Sequence, residues 1–343
     1  MHAGGIVDLS VGTPVDPVPA SVQDALASAA NSPGYPQTAG TPQLRDAAAR
    51  WLAREHGVSV DPGAVLPVIG TKEIIASLPA LLGCGPGDTV VYPELAYPTY
   101  EIGARLAGAA AVAADGLAAL GPERVRLVWV NSPANPTGRV LPAAHLRKMA
   151  DWARERGAVL ASDECYLGLA WDAEPVSVLH PGVSGGSADR LLAVYSLSKR
   201  SNLAGYRAGF VTGDPALVAE LHEVRRHAGL MVPAPVQAAM AAALGDDAHA
   251  DEQRARYLAR RGRLRAALEQ AGWSIDHSEA GLYLWAARPG PDCWDSVRAL
   301  AGTGILVAPG EFYGPAGRRH IRVALTATDE RVAAAVTRLR SLG

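Results

Sequence analysis

From about residue 64 to residue 200 the chain alternates two patterns. Short runs that are apolar at almost every position, "AVLPVIG", "DTVVYP", "VRLVWVNSP", "AVLASDE" and "LLAVYSLS", are separated by longer stretches in which apolar residues recur at helical spacing, "KEIIASLPALLG", "YPTYEIGARLAG" and "LPAAHLRKMADWARERG". A strand with no polar face is buried on both sides, and strands separated by helices pair in parallel. The pattern therefore predicts an α/β domain with a mostly parallel central sheet covered by helices. After about residue 245 it changes. A charged helical stretch, "DEQRARYLARRGRLRAALEQAG", precedes the strand-like "GLYLWAA", "GILVAPG" and "RHIRVALT", and "DERVAAAVTRLRSL" reads as a final helix. Helix, strands and helix in that order predict a smaller α+β domain packed on the first.

Sites in parallel sheets form beyond the carboxyl ends of the strands. The residues just past these ends are Gly70-Thr71, Tyr97, Asn135, Asp163 and Ser196 to Lys199, and the fold brings those segments to one crevice. Composition narrows what the crevice binds. A length of 343 residues with 49% hydrophobic content can bury a large core and a pocket, and a formal net charge of -2 offers no basic surface to nucleic acid or anionic lipid. The three cysteines, Cys84, Cys165 and Cys293, are far apart and form no C-x-x-C pair, which argues against a disulfide framework or a metal site. The amino terminus has neither a basic n-region nor an apolar h-region, and no run of apolar residues is long enough to span a bilayer. A cytoplasmic enzyme for a small soluble substrate is the expectation. Gly83, Gly85 and Gly87 follow a helix-like segment and precede a strand, the reverse of a phosphate loop, and read as a turn.

Lys199 stands where the apolar segment "LLAVYSLS" ends. A partly desolvated lysine loses its proton readily and condenses with an aldehyde, whereas a lysine beyond the strand in solvent does nothing. The other strand ends decide between these. A pyridoxal phosphate site needs a lysine, a carboxylate for the ring nitrogen, a donor for the phenolic oxygen and a phosphate cradle. Asp163 in "ASDECY" supplies a carboxylate, and Asn135 in "NSPANPTG" an amide donor. Gly70 and Thr71 open a helix whose N-H groups point at an anion, and Ser196 and Arg207 complete a cup.

In this combination and order the segments resemble the fold-type I pyridoxal-phosphate enzymes, specifically the class I/II aminotransferases, over essentially the whole chain. The stretches that carry the resemblance are "LSVGTPVDPVP", "YPQTAGTPQLRDAAARWL", "GTKE", "YPELAYPTY", "NSPANPTG", "SDECY", "SLSKRSNLAGYRAG" and "HIRVAL". It implies a large cofactor-binding domain over residues 30–245 and a small domain formed by 1–29, with an amino-terminal arm, and 246–343. It also implies that Lys199 binds the cofactor covalently and shuttles a proton, that Asp163 pairs with the ring nitrogen, that Asn135 and Tyr166 meet the ring oxygen, and that Tyr97 stacks on the ring. Gly70, Thr71, Ser196 and Arg207 would hold the phosphate, with Lys72 and Ser198 flanking the cup. Arg322 matches the arginine for the substrate α-carboxylate, and alternation agrees: Ile321, Val323 and Leu325 share one face of a strand and leave Arg322 on the other. Gly12 matches a segment covering the substrate, and Tyr35 a tyrosine that reaches the phosphate of a neighbouring subunit, which implies a homodimer.

Within that family "SLSKRSNLAGYRAGF" and the compact length resemble the succinyldiaminopimelate aminotransferases of high-GC bacteria. That implies N-succinyl-LL-2,6-diaminopimelate as amino donor and 2-oxoglutarate as acceptor in a ping-pong reaction. Both carry a distal carboxylate, for which Arg200, Asn202, Arg225, Arg226 and His227 are candidates that the sequence does not separate. The rivals are another aminotransferase of the group, acting on aspartate, alanine, aromatic or acetylornithine-type donors, a carbon-sulfur β-lyase on the same fold, and a cofactor-binding regulatory module, which would need a DNA-binding domain that this sequence does not show.

Overall fold

The fold is described from a computed structural model covering residues 5–116 and 124–340. The arm contributes a two-residue strand, β1 (Val7–Asp8). Seven strands then build the central sheet: β2 (Val65–Ile69), β3 (Thr89–Tyr92), β4 (Ala110–Ala113), β5 (Val125–Asn131), β6 (Val159–Asp163), β7 (Leu191–Ser196) and β8 (Ala208–Gly213). Their order is β2-β8-β7-β6-β5-β3-β4. All pairs are parallel except those made by β8, which runs antiparallel to both β2 and β7. Strands β6 and β7 are buried at nearly every position, as their unbroken apolar runs require.

Helices on the two faces separate two apolar clusters. On one side Leu44, Trp51 and Leu52 of the helix Pro42–His56 pack with Val128, Val130, Tyr195 and Phe210; on the other Ile74, Leu78 and Tyr100 pack with Trp129, Ala161 and Val194. The helix Pro42–His56 has a clear start and stop. Thr41 Oγ1 accepts from Leu44 N-H at 3.3 Å, proline occupies the first helical position, and Gly57 ends it at φ 62°.

The carboxyl-terminal part adds β9 (Ser274–Asp276), β10 (Tyr283–Ala287), β11 (Ile305–Leu306), β12 (Ala308–Pro309) and β13 (His320–Ala324). Strands β12-β13-β10-β9 form an antiparallel sheet, against which the helices Ala248–Gln270 and Asp329–Leu339 pack through Tyr257, Leu264, Leu268, Val332 and Leu339. The arm divides between the two units. Strand β1 pairs in parallel with β11, whereas the helix Ala20–Ser28 buries Val22 in the cluster of the central sheet. Among the described residues no helix is long and apolar enough to cross a membrane.

Strand β8 is an element the hydrophobic pattern missed. "AGFVTG" follows directly on the turn that carries Arg207, so a strand preceded only by the one-turn helix Leu197–Arg200 was hidden within one motif. Its antiparallel direction is a consequence, because the connection from Leu197 to Arg207 is shorter than the crossover that a parallel neighbour of β7 needs.

Candidate active site

The carboxyl ends of β2, β5, β6 and β7 open into a pocket of about 340 Å³. It is lined by Thr71 and Lys72 after β2, Tyr97, Asn135 after β5, Asp163, Cys165 and Tyr166 at the end of β6, and Ser196, Ser198 and Lys199 after β7. Arg207, Gly12 of the arm and Arg322 of β13 close its rim. Of the residues matched to cofactor and α-carboxylate roles from the sequence, Gly70 and Tyr35 lie off this lining. Gly70 sits directly behind Arg207, and Tyr35 is 96% exposed.

Lys199 lies in the one-turn helix Leu197–Arg200, which Ser196 caps, its Oγ accepting from Ser198 N-H at 3.1 Å. That turn swings the lysine off the strand into the pocket, where Nζ donates to Gly12 O at 2.5 Å. Asp163 is the last residue of β6 and only 5% exposed. Its Oδ2 accepts from Tyr100 O-H at 2.7 Å and its Oδ1 from Cys165 N-H at 3.2 Å, and it makes no ion pair among the described residues. Burial pushes its carboxyl up from the usual range, opposed by these two donors. Asn131 fixes the neighbouring backbone: its Nδ2 donates to Asp163 O at 2.9 Å and its Oδ1 accepts from Asn135 N-H at 2.7 Å.

Asn135 Oδ1 accepts from Arg322 Nη1 at 2.8 Å, which leaves its amide N-H groups for another acceptor. The other arm of the Arg322 guanidinium donates to Ser10 O at 2.8 Å. Arg322 is 6% exposed, with its Cζ 3.9 Å from the centre of the Tyr283 ring and 4.8 Å from that of Tyr313, a cation held against two aromatic faces. Tyr283 O-H and Tyr166 O-H are 3.1 Å apart, and burial raises the Tyr166 hydroxyl well above the usual range.

The anion cup is built by backbone. Gly70 caps the helix Thr71–Leu81 at φ 72° and ψ 151°, a region that only glycine occupies without strain. A Cβ built there would stand 2.3 Å from Arg207 Nη2, so the absent side chain lets the guanidinium close over the helix N-terminus. Arg207 is itself held at φ 56°. Glu73 in the first turn is anchored from behind, its two oxygens accepting from the fully buried Arg225 at 2.7 and 2.9 Å. Replacing Gly70 with alanine is expected to cost about 1–3 kcal/mol, read as weaker phosphate-anion and cofactor binding in an absorbance titration with little change in secondary structure.

Two features fit pyridoxal phosphate. A cup at the glycine-capped N-terminus of a helix, with an arginine and Ser196 at its edge, suits a phosphate. A buried carboxylate held by two donors and no cation suits a protonated ring nitrogen.

Glu164, one residue on from Asp163, turns to the opposite face, where its Oε1 accepts from Val178 N-H at 2.8 Å. Burial pushes its carboxyl up to about 7 from 4.5. The folded state therefore holds a proton that the unfolded state has lost across that window, and this group's contribution to stability falls as pH rises through it. Glu164→Gln is expected to flatten that slope and raise stability near pH 8 by about 1–3 kcal/mol, checked by urea titrations on either side of neutrality.

The candidates for a distal carboxylate do not gather at the pocket, and this corrects the sequence reading. Arg225 is consumed by Glu73. Arg200 donates to Asp247 at 2.6 Å and lies over Trp51, Asn202 donates to Pro17 O and to Gln253, Arg226 pairs with Glu223, and His227 stands beside it on the surface. Conversely, Tyr100, Tyr283, Tyr313 and Asn131 were not singled out. Tyr100 had a signal, in that "YPTY" places it one helical turn after Tyr97; Tyr283 had only its place in an alternating strand.

Comparison with known proteins agrees with this geometry. The profile of "Aminotransferase class I and II" matches residues 5–339. A "Probable aminotransferase Rv1178" of Mycobacterium tuberculosis is 65% identical over 98% of this chain and 81% of its own length. The "4-dedimethylamino-4-oxo-anhydrotetracycline transaminase OxyQ" of Streptomyces rimosus is 61% identical over 98% of this chain and 94% of its own. Among solved structures, a "probable N-succinyldiaminopimelate aminotransferase" of Thermus thermophilus superposes with a TM-score of 0.88 at 32% identity, covering 99% of this chain and 95% of that one.

Proposed function

Because the chain belongs to the class I and II aminotransferases, a family that works with pyridoxal 5′-phosphate, we propose that it moves an amino group from N-succinyl-LL-2,6-diaminopimelate to 2-oxoglutarate in two half-reactions at one site. The observation that carries the substrate class is the distribution of cations. Lys199, Arg207 and Arg322 are each directed to a separate task, and Lys72, which the resemblance sets at the flank of the phosphate cup, is the further cation on the lining. Its ammonium meets no carboxylate among the described residues, since the adjacent Glu73 is held by Arg225, and it stands 5.8 Å from the centre of the Tyr97 ring. Donor and acceptor both carry a second carboxylate, which Lys72 is placed to receive. The name of the Thermus thermophilus protein supports the same reading. The identity with OxyQ favours a second one, in which the amine goes to a polycyclic ketone.

The cofactor, when bound, supplies an electron sink for the charge that develops at the substrate α-carbon. The chain supplies the rest. Asp163, fixed by Tyr100 and by Cys165 N-H, offers a desolvated negative charge to the ring nitrogen. Asn135 and Tyr166 offer donors to the ring oxygen, and Tyr97 a face for the ring. Thr71, Ser196, Ser198 and Arg207 hold the phosphate around Gly70. Arg322 exchanges its contact with Ser10 O for the substrate carboxylate, which it grips with a planar fork. Lys199 Nζ, freed from Gly12 O, would take the proton from the donor's α-carbon and hand it to the cofactor carbon C4′ on the far side of the transferred amino nitrogen. Gly12 and its neighbours in the arm keep water from that proton. Tyr35, exposed in this chain, is assigned to the site of a second copy in a cytoplasmic homodimer.

The test is a visible-absorbance titration of the cofactor-loaded enzyme with single amino donors. Conversion by succinyldiaminopimelate at far lower concentration than by aspartate, alanine or aromatic amino acids, reversed by 2-oxoglutarate, is the expected result. Reversal by a polycyclic ketone but not by 2-oxoglutarate would favour the second reading, and a preference for another donor would overturn the first.

A further inference from the structure

We propose that Tyr283 is a further positioning residue, whose hydroxyl donates to that of Tyr166 and sets how strongly Tyr166 donates to the ring oxygen of the cofactor. This rests on the reading above that places Tyr166 at that oxygen. Both tyrosines are buried, at 6% and 5% exposure, with their oxygens 3.1 Å apart and their rings meeting edge to face. A hydroxyl has one proton to give. If Tyr166 gives its proton to the cofactor, the proton in the bond between the two tyrosines comes from Tyr283. A hydroxyl that accepts a hydrogen bond becomes a better donor, so Tyr283 acts on the cofactor through Tyr166 without touching the ring oxygen.

The surroundings hold the Tyr283 hydroxyl in place. On one side the ring carries the Arg322 guanidinium at 3.9 Å. On the other, the main chain of the arm passes so close that a Cβ built on Gly12 would lie 2.1 Å from Tyr283 Oη. Gly12 is not in the left-handed region, so glycine is required there for space and not for backbone conformation. The same glycine accepts from Lys199 Nζ. The hydroxyl is thus boxed between the arm and Tyr166, and a register diagonal brings it there. Tyr283 pairs with Ala324 and Trp285 with Arg322 across β10 and β13, which sets Tyr283 and Arg322 on one face as diagonal neighbours.

Donation to the ring oxygen stabilises its ionised form and loosens its hold on the proton it shares with the nitrogen of Lys199. Weakening the donor therefore raises the pH at which that proton leaves. The experiment follows visible absorbance against pH for the cofactor-loaded wild type, Tyr283→Phe, Tyr166→Phe and the double variant. Phenylalanine keeps the ring under Arg322, so donor KM is expected to stay within about twofold. The midpoint is expected to rise in Tyr283→Phe by roughly a tenth to a third of the rise in Tyr166→Phe, and the double variant should match Tyr166→Phe alone. Gly12→Ala, which pushes the hydroxyl away, should shift the midpoint in the same direction. A Tyr283→Phe curve that superimposes on wild type, or a shift that persists in the Tyr166→Phe background, overturns the proposal. A Tyr166→Phe curve with no shift overturns instead the placement of Tyr166, and this inference with it.

Discussion

Replacing Lys199 with alanine is expected to remove the yellow, lysine-linked absorbance and to lower kcat by at least the upper end of the 10²–10⁴-fold range, about 10⁴, that one acid-base group contributes. The loss is large because the proposed mechanism gives one nitrogen the roles of covalent anchor and proton carrier, and the described pocket offers no substitute. Lys72 is the other lysine on the lining, and it sits beside Tyr97 at the head of the helix Thr71–Leu81. The cup around Gly70 and the Asp163 carboxylate remain intact in this variant, so it should still bind pyridoxal phosphate. A small primary amine added to solution should restore part of the rate by occupying the space the side chain leaves. An unchanged spectrum in the purified Lys199→Ala protein would remove Lys199 from the chemistry.

Asp163→Asn is expected to lower kcat by about 10²–10³-fold or more, the scale of losing one preorganised charge at a reacting centre, with a much smaller effect on KM. Asparagine keeps one acceptor oxygen, which can face Cys165 N-H, and its amide NH2 can donate to the Tyr100 hydroxyl oxygen, so the variant removes the charge at nearly constant side-chain shape. The measurement is steady-state kinetics alongside thermal unfolding. If Asp163→Asn kept most of its activity while losing stability, the carboxylate would be a structural element of β6 and not the partner of the ring.

Much of this site is legible in the sequence for one physical reason. A parallel sheet buried on both faces writes its strands as unbroken apolar runs, so the ends of those runs are visible, and the fold places functional groups at those ends. Asp163 closes "AVLASD", Asn135 follows "RLVWV", Ser196 and Lys199 follow "LLAVY", and each lines the pocket. Arg322 is legible through alternation, as the polar break in "HIRVAL". The charged candidates for a distal subsite stayed unseparated because a sequence does not state which charges pair. Arg225 and Glu73 are separated by 152 residues, and only the tertiary structure, which brings the helix Pro215–Ala228 and the helix Thr71–Leu81 within reach of each other, shows that Arg225 is fully buried in an ion pair.

The sequence by itself determined the α/β fold, the residues that carry charge and nucleophilicity, and the strand ends at which they stand, because periodicity and burial are local properties of the chain. Only the tertiary structure decided who touches whom. It set Tyr100 against Asp163, gave Glu73 to Arg225, left Lys72 without an acidic partner among the described residues, and brought the Tyr283 hydroxyl to Tyr166 past a glycine of the arm. These contacts join residues from distant parts of the chain. Their energies depend on distance and desolvation across packed elements, quantities that no window of sequence contains.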